Sequence, residues 1–118
     1  MPLRCLIVDD NDAFLHAARV LLERQGITVV GQASNAGDAL RRAGELRPEV
    51  ALVDILLGRE SGFDVARELA GSDGGGPTVI LISTHSEADF ADLIAESPAV
   101  GFVAKSELSA EAIRSLVG

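Results

Sequence analysis

The chain has 118 residues, 47% of them hydrophobic and only 3% aromatic, and a formal net charge of -8. That is enough for one domain with one aliphatic core, and too apolar for a disordered segment. The acidity opposes binding to nucleic-acid phosphates and anionic membranes, no apolar stretch approaches the roughly 20 residues of a membrane span, and a single cysteine excludes an internal disulfide or a multi-thiolate zinc site.

Leu3 to Val8 is the first apolar run and ends at Asp9-Asp10. Cys5 lies inside it and reads as a small buried residue. Asn11 or Asp10 caps the helix that follows, where Phe14, Ala18, Leu21 and Leu22 repeat at helical spacing, and Gly26 stops it. A second strand spans Ile27 to Ala33. Ser34 to Gly37 reads as a loop, and a helix from about Asp38 to Leu46 follows, closed by Pro48.

Val50-Ala51-Leu52-Val53-Asp54 is the third strand: four apolar residues without a break, then a carboxylate. Such a run suits a strand buried on both faces. Ile55 to Ser61 reads as a loop, and Gly62 to Ala70 as a helix with Phe63, Ala66 and Leu69 or Ala70 inward. Gly71 to Pro77 reads as a flexible surface loop. Thr78 to Ile82 is the fourth strand, Glu87 to Ala95 the fourth helix, and Gly101 to Ala104 the fifth strand. Ser109 caps a last helix running to about Val117. Strands alternating with helices point to an α/β fold, a doubly wound parallel sheet covered on both faces.

Polar residues gather at the carboxyl ends of these strands, where open parallel sheets bind ligands. Asp9 and Asp10 end the first, Asp54 the third, Ser83 and Thr84 the fourth, and Lys105 the fifth. Taken singly, the acids are caps or loop residues, Lys105 a solvated lysine, Ser83 a turn residue and Phe102 core. His16 and His85 read as surface histidines, with His85 near the strand ends. Taken together, three converging carboxylates repel by roughly 3 kcal/mol per pair at about 5 Å and an effective dielectric near 20. Lys105 offsets only part of that. A divalent cation reverses the sign, and with oxygen ligands few in number Mg²⁺ is the natural choice.

At these residues the sequence resembles the receiver domain of two-component response regulators. The resemblance runs from Leu3 to Leu116 and is carried by Val8-Asp9-Asp10, Leu52-Val53-Asp54, Ile82-Ser83-Thr84 and Gly101-Phe102-Val103-Ala104-Lys105, in order and at strand ends. It implies a flavodoxin-like (βα)5 fold, strand order 2-1-3-4-5, with residues 1–118 forming one receiver domain. It implies that Asp54 accepts a phosphoryl group from a sensor histidine kinase. Asp10, Asp54 and the backbone carbonyl of Leu56 would ligate Mg²⁺, and Asp9 would reach the ion through water. Ser83, with Thr84 beside it, would meet the phosphoryl group, Lys105 would pair with Asp54 and later with the phosphate, and the Phe102 rotamer would follow the switch. A receiver is a signalling phosphoacceptor that assists its own phosphorylation and dephosphorylation, not an enzyme with a separate substrate.

The resemblance also implies an output domain or partner protein, and homodimerisation through the face of the fourth and fifth helices. Direct nucleic-acid binding by this domain and membrane contact are not expected. The N-terminus lacks the apolar core of a signal peptide, so a cytoplasmic location is expected. The chain reads as a stand-alone receiver or as the receiver portion of a longer regulator. Gly58 stands where a proline is common, which suggests a looser loop. Ser106 replaces a frequent proline, and Thr84 replaces a commoner alanine and would narrow access to Asp54. Leu56 occupies a position that in the family influences phosphate lifetime. The alternative functions are a phosphorylation-independent docking module, an aspartyl phosphatase lacking its second acid because Leu56 stands there, and a flavodoxin-like carrier whose first loop, Asp9 to Asp12, would repel phosphate.

Overall fold

The computed structural model describes residues 2–71 and 75–118. Residues 72–74, the middle of the expected glycine-rich loop, lie outside the described residues. Five parallel strands form the sheet: β1 (Arg4–Val8), β2 (Thr28–Ala33), β3 (Val50–Asp54), β4 (Thr78–Ser83) and β5 (Gly101–Ala104). Their order is β2-β1-β3-β4-β5, the arrangement implied by the resemblance to receiver domains. Every residue of β3 is buried. Alternate residues serve opposite faces. Cys5, Ile7, Leu52, Ile80 and Ile82 join Leu15, Leu22 and Ile113 in one core, and Leu6, Val8, Ala51, Val53, Val79 and Leu81 join Phe63, Ala66 and Leu69 in the other. Each fully buried aliphatic side chain contributes about 1.5–3 kcal/mol.

The helices are α1 (Asp12–Arg24), α2 (Ala36–Leu46), α3 (Gly62–Ala70), α4 (Ala91–Glu96) and α5 (Ala110–Val117). Asn11, not Asp10, caps α1, accepting from the Phe14 amide at 3.1 Å. The inward face of α1 is Leu15, Ala18 and Leu22 with Phe14 packed beside it, so of the expected residues only Leu21, 36% exposed, lies off the stripe. Helix α2 begins two residues before the expected start. Asn35 accepts from the Asp38 amide at 2.8 Å, and Glu60 takes the free Ala36 amide at 2.9 Å, so two side chains satisfy first-turn donors that Ala36-Gly37 alone would not suggest. Ser61 caps α3 and Ser109 caps α5.

Three segments depart from expectation. Ile55 to Ser61 is not a plain loop: Leu56–Leu57 pairs antiparallel with Glu60–Ser61, and Gly58 turns between them at φ +59°. Proline is held near −65° and cannot take that turn, whereas glycine enters it without strain, so Gly58 suits the hairpin rather than marking slack. The fourth helix opens with a 3₁₀ turn, Glu87–Phe90, before six α-helical residues. Phe90 leaves helical geometry (φ −127°, ψ 18°), and its ring centroid lies 6.2 Å from that of Phe63. A further 3₁₀ turn, Lys105–Glu107, follows β5.

Candidate functional site

Register brings the polar strand ends together. Val8 pairs with Val53, Asp54 with Ile82, and Ser83 with Ala104. The residues at or just past those pairs, Asp9, Asp54, Ser83 and Lys105, therefore reach one edge of the sheet. Gly62 fixes the far side of the loop that leaves Asp54. A Cβ on Gly62 would stand 1.9 Å from the Asp54 carbonyl oxygen, so only glycine lets α3 start against that backbone.

Asp9 is fully buried, Asp54 is 6% exposed, and Asp10 faces solvent. One carboxylate oxygen from each of the three lies within 4.8 Å of the others. The Lys105 ammonium sits 2.5 Å from Asp9 Oδ2 and 3.0 Å from Asp54 Oδ2. The remaining oxygens of the buried acids are tied down locally. Asp9 Oδ1 accepts from the Asn11 amide at 2.9 Å, and Asp54 Oδ1 from the Leu56 amide at 3.2 Å. Capping of α1 thus falls to Asn11, which leaves Asp10 available to the pocket. The hairpin turn stands over it: a Cβ on Gly58 would lie 3.4 Å from Asp10 Oδ2.

Burial raises the Asp54 carboxyl above its ordinary value; the Lys105 and Leu56 hydrogen bonds oppose this, and the Asp9 charge adds to it. For Lys105 burial works against the charged form, but the two carboxylates outweigh it and hold the ammonium above its ordinary value. The pocket therefore keeps a protonated lysine among acids that a single positive charge does not neutralise.

Ser83 is 1% exposed, and its hydroxyl is engaged by its own turn. Ser83 Oγ accepts from the His85 amide at 3.0 Å and lies 3.5 Å from His85 Nδ1. The exposed His85 ring packs edge-on to Phe90, with centroids 5.8 Å apart. His85 is thus closer to the site than a plain surface histidine; its spacing of two residues from Ser83 was the available signal. Phe102 is half-buried against the core that includes Leu81, its partner across the ladder. Thr84 is exposed beyond Ser83, and the Leu56 side chain is 48% exposed. His16 is exposed on α1.

The donor set fits a divalent cation. It is all oxygen, and three carboxylates against one ammonium leave negative charge in excess. Asp9 Oδ2 is buried against the Lys105 ammonium, which it shares with Asp54, so one positive charge serves two buried acids. Hard oxygen ligands of this number suit Mg²⁺ or Ca²⁺.

The family model that describes the response regulator receiver domain matches residues 5–117. The response regulator GacA of Pseudomonas viridiflava is 30% identical over 117 residues, which cover 97% of this chain and 53% of that protein. The chain spans about half the length of curated relatives such as this one. A LuxR-family two-component response regulator from Aurantimonas sp. SI85-9A1 superposes with a TM-score of 0.84 at 27% identity, covering 99% of this chain and 86% of that one. A response regulator protein from Burkholderia pseudomallei superposes with a TM-score of 0.82 at 27% identity, covering 98% and 66%; that structure contains a phosphorylated aspartic acid, a calcium ion and citrate.

Proposed function

The chain belongs to the response regulator receiver domain family, and from that premise we propose that Asp54 is the phosphoacceptor of a two-component signalling switch. The observation that carries this reading is the Lys105 ammonium held between Asp9 and Asp54, 2.5 and 3.0 Å away. An Asp54 oxygen attacks the phosphorus of a phosphohistidine on a sensor histidine kinase. The new oxygen–phosphorus bond forms as the nitrogen–phosphorus bond breaks, and the electron pair stays with the imidazole. Such transfers need positioning and charge neutralisation more than covalent assistance.

Asp10, Asp54 and the Leu56 carbonyl would hold Mg²⁺, with Asp9 acting through water. Bound there, Mg²⁺ supplies the positive charge that offsets the incoming phosphoryl oxygens. Lys105 exchanges its Asp54 oxygen for a phosphoryl oxygen. The Ser83 hydroxyl leaves the His85 amide and turns to the phosphoryl group, with Thr84 at the mouth. Phe102 moves into the space that Ser83 vacates, so a local charge becomes a change of surface. The calcium ion and phosphorylated aspartate of the Burkholderia pseudomallei relative support this assignment.

On this reading the domain, residues 1–118, is a cytoplasmic phosphoacceptor that assists its own phosphorylation and dephosphorylation and turns over no separate substrate. Among the described residues no helix is long and apolar enough to cross a membrane. It signals to an output domain or partner protein. Helix α4 buries no side chain fully and leaves Leu93 50% exposed, which supports a homodimer or partner contact on the face of α4 and α5. The net charge of -8 speaks against nucleic-acid binding by this domain itself. The test is intact-mass measurement after acetyl phosphate treatment, with and without Mg²⁺. One phosphoryl adduct that needs Mg²⁺ supports the reading; full labelling in chelator, or none with Mg²⁺, contradicts it.

A further inference from the structure

The Lys105 ammonium has a third neighbour that phosphoryl transfer, as described, does not use. It lies 4.4 Å from the centroid of the Phe14 ring on α1. Phe14 is half-buried and packs against the core beneath α1 and α5, so the ring is fixed to the scaffold. The Lys105 side chain is only 12% exposed, and a cation over an aromatic face is held more strongly where water is scarce.

We propose that Phe14 is a positioning residue whose ring is the seat that keeps the Lys105 ammonium in the pocket while its carboxylate partners are claimed by other groups. This deepens the phosphoacceptor reading and rests on it. Asp9 and Asp54 are the acids that a divalent cation, and then the phosphoryl group, draw away. An ammonium held by them alone would swing out on its flexible four-carbon stem just when the phosphoryl oxygens need it. The ring quadrupole is not subject to that competition, because a hard cation takes oxygen ligands and leaves an aromatic face alone. The Phe14 contact is therefore common to every state of the site. It leaves metal affinity unchanged and raises the fraction of time that Lys105 is in place.

The test replaces Phe14 by mono-, di- and trifluorinated phenylalanine, which drain the ring's electron density with little change of shape, and adds Phe14→Leu, which fills the space without a quadrupole. Three quantities are read: the rate of labelling by acetyl phosphate at saturating Mg²⁺, the Mg²⁺ affinity, and the ring-current shift of the Lys105 Cε protons. The labelling rate should fall stepwise with fluorination, by about twofold to thirtyfold across the series, while Mg²⁺ affinity stays level. The Lys105 shift should be present in metal-free protein, persist with Mg²⁺ and beryllofluoride, and vanish in Phe14→Leu. A rate that is flat across the fluorinated series, or a Lys105 shift lost when Mg²⁺ binds, overturns the proposal. A native chain that takes no label under any of these conditions overturns the phosphoacceptor reading instead, and the Lys105 shift, which needs no phosphate, still decides the role of the ring.

Discussion

Lys105 and Asp54 are 51 residues apart in the chain and 3.0 Å apart in the fold. The parallel ladder produces that meeting: Asp54 ends β3, Lys105 follows β5, and β4 alone lies between them. The consequences of that contact are measurable.

Asp54→Asn keeps the shape of the side chain and removes a charge that burial disfavours. The folded-state pKa of Asp54 is raised, so folding takes up a proton as pH falls. The contribution of Asp54 to stability is greatest below the unfolded value, about 3.9, and declines as pH rises through the folded one. Metal-free Asp54→Asn is therefore expected to unfold at higher urea than the native chain at pH 7, with the gap closing toward pH 3. Urea titrations across that range check it.

Mg²⁺ should reverse the comparison. A ligand that binds only the folded chain adds stability by mass action, about 2.7 kcal/mol at a concentration one hundred times its dissociation constant. The native chain should gain this. Asp10→Asn, a substitution at an exposed position, should keep the metal-free stability and lose most of the gain. Thermal unfolding against Mg²⁺ concentration is the measurement.

Two glycines give opposite outcomes. Gly62→Ala forces a Cβ against the Asp54 carbonyl, whereas Gly44 in α2 has nothing within 4 Å of where its Cβ would be. Gly62→Ala should destabilise by about 1–3 kcal/mol and weaken Mg²⁺ binding by displacing Asp54. Gly44→Ala should stabilise by about 0.5–1 kcal/mol and leave Mg²⁺ binding alone. Chemical denaturation with parallel metal titration separates the two.

Burial pushes the Cys5 thiol up to about 12 from an ordinary 9.0, against the lowering effect of a hydrogen bond with the Leu52 backbone. The unfolded thiol ionises first, so its contribution to stability is intact below pH 9 and is lost as pH rises toward 12. Lys105, with its raised pKa, loses its contribution only above its ordinary value. Cys5→Ala should cost about 1–2 kcal/mol at pH 7 through lost packing. It should also flatten the decline between pH 9 and 10, before Lys105 begins to titrate.

Most of the architecture was legible because burial on both faces writes a strand as a largely apolar run, and the runs of β1, β3, β4 and β5, though not that of β2, stop at or beside a residue of the site. Asp9, Asp54, Ser83 and Lys105 needed only the parallel order to converge. What escaped the sequence depends on contacts between elements. The early start of α2 relies on Glu60, 24 residues away, accepting from Ala36. The inward stripe of α1 runs through Leu15 rather than Leu21 because the helix docks on β1 and α5 together. Phe14 read as one more apolar residue, since nothing in its local pattern places a lysine over its ring. The hold of His85 on Ser83 is local, yet an exposed histidine carries no periodicity that would flag it.

The central claim is that Asp54, among three neighbouring acids, takes the phosphoryl group. Borohydride reduces an aspartyl phosphate to homoserine, so acetyl phosphate labelling with Mg²⁺, reduction and peptide sequencing by mass spectrometry read the acceptor directly. Homoserine at position 54, absent when Mg²⁺ is withheld, is the predicted result. Homoserine at position 9 or 10 in the native chain, or an adduct that survives unchanged in Asp54→Asn, would contradict it.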